Sequence, residues 1–523
     1  MPAGSARFWI PAGRRGTIRR MSRAALAGAL LVVACAASPD PVAPPRATRT
    51  SEPAKVEPAQ VVATEAAKPP EARPFDLAAY FGEGYPKSAP PKPGSGIGSL
   101  GWGTWIQPAP RSGALPLGSI RVGGALPLAA PEALPGHGKC PSFVRVERGY
   151  VCAGPRATLD MDSAWMRAGV WTEPAPGVMP YQYALSVGAP ILTKPVPREK
   201  MIWKTGPRER PKMKGWNEGH DELAELDPIV PNGPIPDFLK DGGQVPMPWG
   251  KAKGVYFKML KAGTMIAYTR AFEAYGETWV LSTDMTVIPA RGLKRFRRSE
   301  FRGLELGSGV ELPIAWMRKT ARPKWRKGAS GFERTSESWP VKTFVALTGR
   351  DERAGQQRFL ETREPGVYIE KSDASVVEAR PKPPWEVKGT GKWIHVRVTR
   401  GTLTLYEGPK PVFTTLMSPG KMNATPYGRY FVESKHHYST MSTEKSDFWI
   451  ADVPWTIYFK RPYAIHASYW HEDFGQRKSG GCVNLSPIDA KRVFDWVEPD
   501  LPAGWDTVQA YGMGGGTFVL VEG

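Results

Sequence analysis

The last quarter of the chain alternates. From Lys392 onward, Ile394, Val396 and Val398 recur on one face, then Leu403 and Leu405, then Val412 and Phe413, with glycines at the breaks. Period-two alternation between Gly-containing turns predicts three strands. The runs "YGRYFVESK", "FWIADVPWTIYFKR" and "YAIHAS" predict more. The period then changes. In "SPIDAKRVFDWV", Ile488, Val493, Phe494 and Val497 fall at helical spacing, with Ser486 as N-cap and Pro487 at the first helical position. The stretch "SGGCVNL", Ser479 to Leu485, turns the chain into that helix.

Upstream, residues 96–385 alternate in short runs broken by Gly and Pro. Three pairs look alike: "RGYVCAGPRATLD" (148–160), "GETWVLSTDMTVIPA" (276–290) and "GVYIEKSDASVVEA" (366–379). Each reads as a strand, a polar turn and a second strand, which predicts two or three small barrel-like β modules in series, the alternative being one irregular β domain with chance similarity. One covers 96–165; further β modules over 166–385 carry no internal boundary in the pattern. The basic, Pro-rich run at 195–216 reads as an exposed insertion, and "EARPKPPWEVKGTG" (378–391) as a linker into a last domain at 392–512. Residues 36–95 are Pro, Ala and charge, too poor in apolar surface to fold, and read as a disordered tether. The fold class is mainly β and multidomain.

At 523 residues the chain is too long for one core. Its formal charge of +20 could serve nucleic acid, but the Lys and Arg are spread along the chain, which fits an anionic cell envelope as well and names no nucleic-acid partner. The first 35 residues look like an export signal: Arg14, Arg15, Arg19, Arg20 and Arg23 precede the apolar run Ala24 to Ala34, followed by "VVACAAS". Met21 would serve as a start giving a shorter signal. That segment resembles the lipobox of bacterial lipoproteins, with Cys35 as the lipidated residue; a plain cleaved signal is the alternative. The expectation is an exported, lipid-anchored protein of the periplasm or cell envelope. With Cys35 lipidated, Cys140 and Cys152 form a natural disulfide pair in an oxidising compartment, the alternative being two buried thiols. Cys482 is the cysteine left over.

An unpaired thiol in an exported protein is a candidate reactive group. Gly480 and Gly481 lack a Cβ, so a substrate carbonyl can approach the backbone, and the amides of Gly481 and Cys482 could meet an oxyanion. His466 ends a predicted strand, and a nearby imidazole can hold a thiol as thiolate. Two readings stand beside this one. His466, His471 and Cys482 are all zinc-ligand types, although H-x4-H-x10-C is no recognised ligand spacing. All three could also be ordinary buried residues.

The module at 96–165 is similar to SH3-like modules of bacterial envelope proteins, where a "GYV" strand closes the barrel; the later modules are read as SH3-like by extension. A more extensive likeness lies further on. The residues "IHAS", "SGGCVNL", "ATPYGRYFV" and "VRVTRGTLTLYEGPKPVFTTLMSPG" together resemble the catalytic domain of L,D-transpeptidases, the YkuD-type fold, over about residues 392–510. The resemblance implies a β-sandwich with a short helix after the cysteine. It implies Cys482 as nucleophile and His466 as general base, oriented by an oxygen near Ala467. It implies that Ser479, Gly481 and Asn484 shape the oxyanion hole and turn, and that Tyr458, Trp470, His471 and Arg477 line the substrate cleft. No cofactor and no metal are implied. The reaction implied is peptidoglycan cross-linking through a thioester on a tetrapeptide stem, with D-Ala released. Water or an envelope protein's amine as acceptor would make it a carboxypeptidase or a protein-anchoring enzyme; a non-enzymatic wall-binding lipoprotein is a further reading. Two positions depart from the family pattern: Gly480 replaces the usual histidine before Gly-Cys, and Ala467 replaces a glycine after the first histidine.

Overall fold

The structure is a computed structural model that describes residues 96–523 apart from 102, 112, 202–217, 247–253, 308, 381, 388–390 and 443–448. The signal and tether at 1–95, Cys35 among them, lie outside the described residues, as does most of the basic insertion at 195–216. Among the described residues no helix is long and apolar enough to cross a membrane.

The C-terminal strands are β1 Lys392–Arg397, β2 Thr402–Glu407, β3 Lys410–Leu416, β4 Gly428–Phe431, β5 Ser434–Ser442, β6 Trp449–Lys460, β7 Tyr463–Ala467, β8 Val483–Leu485, β9 Thr507–Gln509 and β10 Phe518–Glu522. They form two facing sheets. In one, β3, β2 and β1 run as an antiparallel meander, β10 joins β1 in parallel, and β4 closes the edge on β10. In the other, β9, β5, β6 and β7 pair antiparallel and β8 joins β7 in parallel. The alternating residues meet between the sheets, where Ile394, Val396, Leu403, Leu405, Ile457 and Ile465 are buried together. β10 lies past residue 512, the boundary read from the sequence. It extends that boundary because "FVLVE" is a short apolar run whose partner β1 is far away in the chain.

The helix Pro487–Trp496 follows β8 directly. Ser486 Oγ caps it by accepting from Asp489 N–H at 3.1 Å, and Val493, Phe494 and Val497 pack into the sandwich core. The outer face of the first sheet is covered too. Trp393 stacks on Tyr406 at 4.2 Å beside Phe518 and Leu520, and Arg380 of the linker pairs with Glu522 at 2.8 Å.

Upstream, the alternating runs gather into strand groups at 96–158, 182–295 and 314–377, each with its own buried cluster. The three look-alike pairs each fold as two strands around a turn. In the first group Cys140 and Cys152 are joined by a disulfide with Cα atoms 5.8 Å apart. These groups pack onto the sandwich instead of trailing from it. Gly118–Ile120 pairs with β9, and Trp505 and Val508 enter the core of the first group. Asp452 of β6 ties three regions together. Its carboxylate accepts from two Arg121 guanidinium nitrogens at 3.0 Å and from the Thr283 hydroxyl at 2.5 Å, while the guanidinium lies over the adjacent rings of Tyr181 and Tyr438. The bidentate geometry is the form in which a buried charge is best tolerated, although Arg121 Nε is left buried with no hydrogen-bond partner.

Candidate active site

Strand register brings the two reactive residues to one face. In the parallel pair β7–β8, Ile465 lies opposite Val483 and His466 opposite Asn484. Cys482 precedes β8 by one residue, so it falls level with Ala464 and shares the face that carries His466. The thiol keeps partial exposure. It contacts the Pro462 carbonyl at 4.0 Å and accepts from the Ala464 amide, one pleat from the imidazole. Catalytic hydrogen bonds are often long before substrate binds.

The imidazole is oriented from behind. His466 Nδ1 lies 2.9 Å from the Ala467 carbonyl oxygen, so Nδ1 carries the proton and Nε2 is left as the base. His466 is 2% exposed, and burial pushes it down to about 4 against the lift of that carbonyl. Burial pushes the Cys482 thiol up to about 11, opposed only in part by the Ala464 amide. Both shifts have one cause: the ring is desolvated along with the sulfur, so burial favours the neutral thiol and neutral imidazole over a thiolate–imidazolium pair.

The turn is held by Ser479. Its hydroxyl donates to the Cys482 carbonyl at 2.5 Å and accepts from Gly481 N–H at 3.1 Å. The Gly481 amide is thus engaged within the turn. Gly481 has φ +139°, and a Cβ there would stand 2.4 Å from the Tyr463 ring. Gly480 differs: a Cβ there would meet nothing within 4 Å. The position where the family pattern has a histidine is open space.

The other expected residues divide. Tyr458 is half-buried beside Cys482; burial raises its phenol, which hydrogen-bonds Ser439 at 2.8 Å, with Arg461 over its ring at 4.8 Å. Arg477 donates to the Gly420 carbonyl at 3.2 Å and so braces the loop beside the turn. Trp470 and His471 are buried, at 2% and 0% exposed. Asn484 is also internal. Its amide meets His471 Nε2 at 3.0 Å, and its backbone exchanges hydrogen bonds with Ser418 at 2.9 and 3.0 Å. Neighbouring positions carry no measure of this depth, because part of the cover comes from Glu218–Leu223, a segment far upstream. That segment brings His220, which no motif marked, onto the Trp470 ring at 5.3 Å. His466, His471 and Cys482 have separate partners, and among the described residues no three His, Cys, Asp or Glu groups converge as a metal site.

Residues 391–512 match the YkuD family model, the L,D-transpeptidase catalytic domain. No curated protein matches the chain. Among solved structures, the L,D-transpeptidase of Stackebrandtia nassauensis is 26% identical over 27% of this chain and 62% of its own, with a TM-score of 0.19. A variant Enterococcus faecium L,D-transpeptidase is 21% identical over 28% of this chain and 55% of its own, with a TM-score of 0.21. The Mycobacterium smegmatis L,D-transpeptidase is 16% identical over 44% and 89%, also at 0.21. The chain thus spans less than two thirds of the length of the first two. Within the matched L,D-transpeptidase domain lie Cys482, His466 and the whole Ser479–Asn484 turn. His220 and its segment lie outside it.

Proposed function

We propose that this protein is a peptidoglycan L,D-transpeptidase. The observation that carries the reading is the Cys482–His466 arrangement on one face of β7–β8, with Nδ1 donating to Ala467 and Nε2 free to take a proton. Cys482 Sγ attacks the carbonyl of the L-centred amide that links the third stem residue to D-Ala. Its proton passes to His466 Nε2, and the oxyanion is met by the Cys482 amide. The C–N bond breaks, the leaving amine takes the proton from the imidazolium, and D-Ala departs from a thioester. An amine of a second stem then attacks the thioester, gives its proton to His466, and the restored thiol leaves. Splitting one amide exchange into two acyl transfers is what a covalent nucleophile achieves. Substituting Cys482→Ala in the full chain and supplying tetrapeptide muropeptides tests this. Wild type is expected to release D-Ala and form cross-linked dimers, and the variant neither. Wild type releasing no D-Ala ends the proposal; D-Ala without dimers reassigns the acceptor to water or to a protein amine.

Export belongs to the same reading. It is supported by the basic-then-apolar N-terminus before "VVACAAS" and by the Cys140–Cys152 disulfide, a cross-link of oxidising compartments. Lipidation at Cys35 predicts fatty-acid labelling in cells that is lost in Cys35→Ala. The upstream β groups are proposed to hold the enzyme on the wall. Equal sedimentation with peptidoglycan after substitution of their exposed aromatic residues would remove that role.

A further inference from the structure

Trp470 neighbours two imidazoles. Its ring centre lies 5.3 Å from that of His220 and 5.9 Å from that of His466. His466 belongs to β7, but His220 arrives on Glu218–Leu223, which lies upstream of the family-matched domain. That segment is tied down at several points. Leu223 N–H donates to the Trp470 carbonyl at 3.3 Å, Arg297 N–H donates to the Leu223 carbonyl at 3.0 Å, and Glu218 pairs with Lys421 at 3.6 Å. Gly219 packs so close to Lys478 that a Cβ there would stand 2.6 Å from Nζ. Lys421 and Lys478 flank the bridge between Gly420 and Ser479, the foot of the Cys482 turn. The segment therefore crosses the catalytic loops themselves.

This placement bears on the base. Acyl transfer requires His466 to take up and return a proton without changing its aim. One edge of its ring is fixed by the Ala467 carbonyl, and Trp470 packs nearby. Trp470 Nε1 is buried with no hydrogen-bond partner, so packing alone holds the indole. His220 packs on the indole with ring centres 5.3 Å apart, beside Tyr469 at 4.9 Å. It is 2% exposed, and burial with Lys421, Lys478 and His466 nearby pushes it down to about 3, so it stays uncharged while His466 cycles. His471 is held well below its ordinary value by burial, with His220, Lys478, His466 and Lys342 adding to the effect, and burial raises the Tyr469 phenol beside Trp470.

Resting on the transpeptidase reading, the geometry points to His220 as a positioning residue: a flat ring supplied from outside the catalytic domain that fixes Trp470 and, through it, the general base His466. The test uses the full chain with two variants. His220→Leu keeps the bulk and removes the ring, and His220→Phe keeps a flat ring. With His220→Leu, kcat for D-Ala release is expected to fall roughly tenfold to a hundredfold at unchanged KM, and His220→Phe to recover most of the loss. A second readout needs no turnover. Water admitted by His220→Leu moves the His466 titration, followed by NMR, up from about 4 toward its ordinary value, while His220→Phe leaves it low. If His220→Leu does not fold, His220→Asn is read by the same two measurements. Wild-type kcat together with an unmoved His466 titration overturns the proposal. An inactive wild type defeats the transpeptidase reading alone, and the titration then decides the role of His220 by itself.

Discussion

The protonation of the resting pair can be tested by alkylating Cys482 across pH. Burial raises the thiol to about 11 and lowers His466 to about 4. Each unit is worth about 1.4 kcal/mol, so moving the proton from sulfur to imidazole across that gap costs on the order of 9 kcal/mol. Mutual attraction of the two charges returns only about 4 kcal/mol at close range. At pH 7 such a thiol is thiolate in roughly one molecule in 10⁴. The assay is the rate of iodoacetamide modification of Cys482 by mass spectrometry from pH 6 to 10, with urea-unfolded protein as reference. The native rate is expected to climb tenfold per unit without a plateau. Between pH 7 and 9 it should stay roughly a hundredfold below the unfolded reference. Acyl transfer, which needs neutral His466, should lose rate only as pH falls through about 4. A native alkylation rate that levels off below pH 8 would refute the reasoning, because it would reveal a resting thiolate–imidazolium pair.

Three further outcomes follow from the same geometry. Gly480→His should fold with unchanged melting temperature, because a Cβ there meets nothing, whereas Gly481→Ala should lose about 1–3 kcal/mol and most acylation through its clash with Tyr463 and its positive φ; equal melting of the two variants would contradict this. Asp489 is buried and its folded value is raised to about 6, so its contribution to stability is full below about 4 and is lost as pH rises through 6. Asp489→Asn should therefore gain up to about 3 kcal/mol over wild type at pH 8 and nothing at pH 3.5 in urea melts. Replacing Cys140 and Cys152 by Ser opens a short loop and should cost about 3 kcal/mol. Hydrogen exchange should report that loss in residues 96–158 first.

Much of the catalytic domain was legible because its determinants are local. Half-buried strands must alternate, so Ile394, Val396, Leu403 and Leu405 announce a core face before any partner is known. Ser486 and Pro487 cap a helix within four residues of sequence. Cys482 and His466 could be paired in advance because β7, the turn and β8 are consecutive, and register does the rest. The central place of β10 could not be read, since pairing with β1 depends on the closed sandwich. Asp452 looks like one more polar residue in an alternating strand, yet it holds Arg121 and Thr283 from two other regions. His220 carries no motif and meets the site by packing on Trp470.

Which residues could react, and which elements would carry them, could be read along the chain, because residue chemistry and short-range period are written in neighbouring positions. Their state could not. Depth, and with it the neutral Cys482–His466 pair and the buried Trp470 and His471, is set by atoms that distant segments bring together, and no local pattern encodes that removal of water.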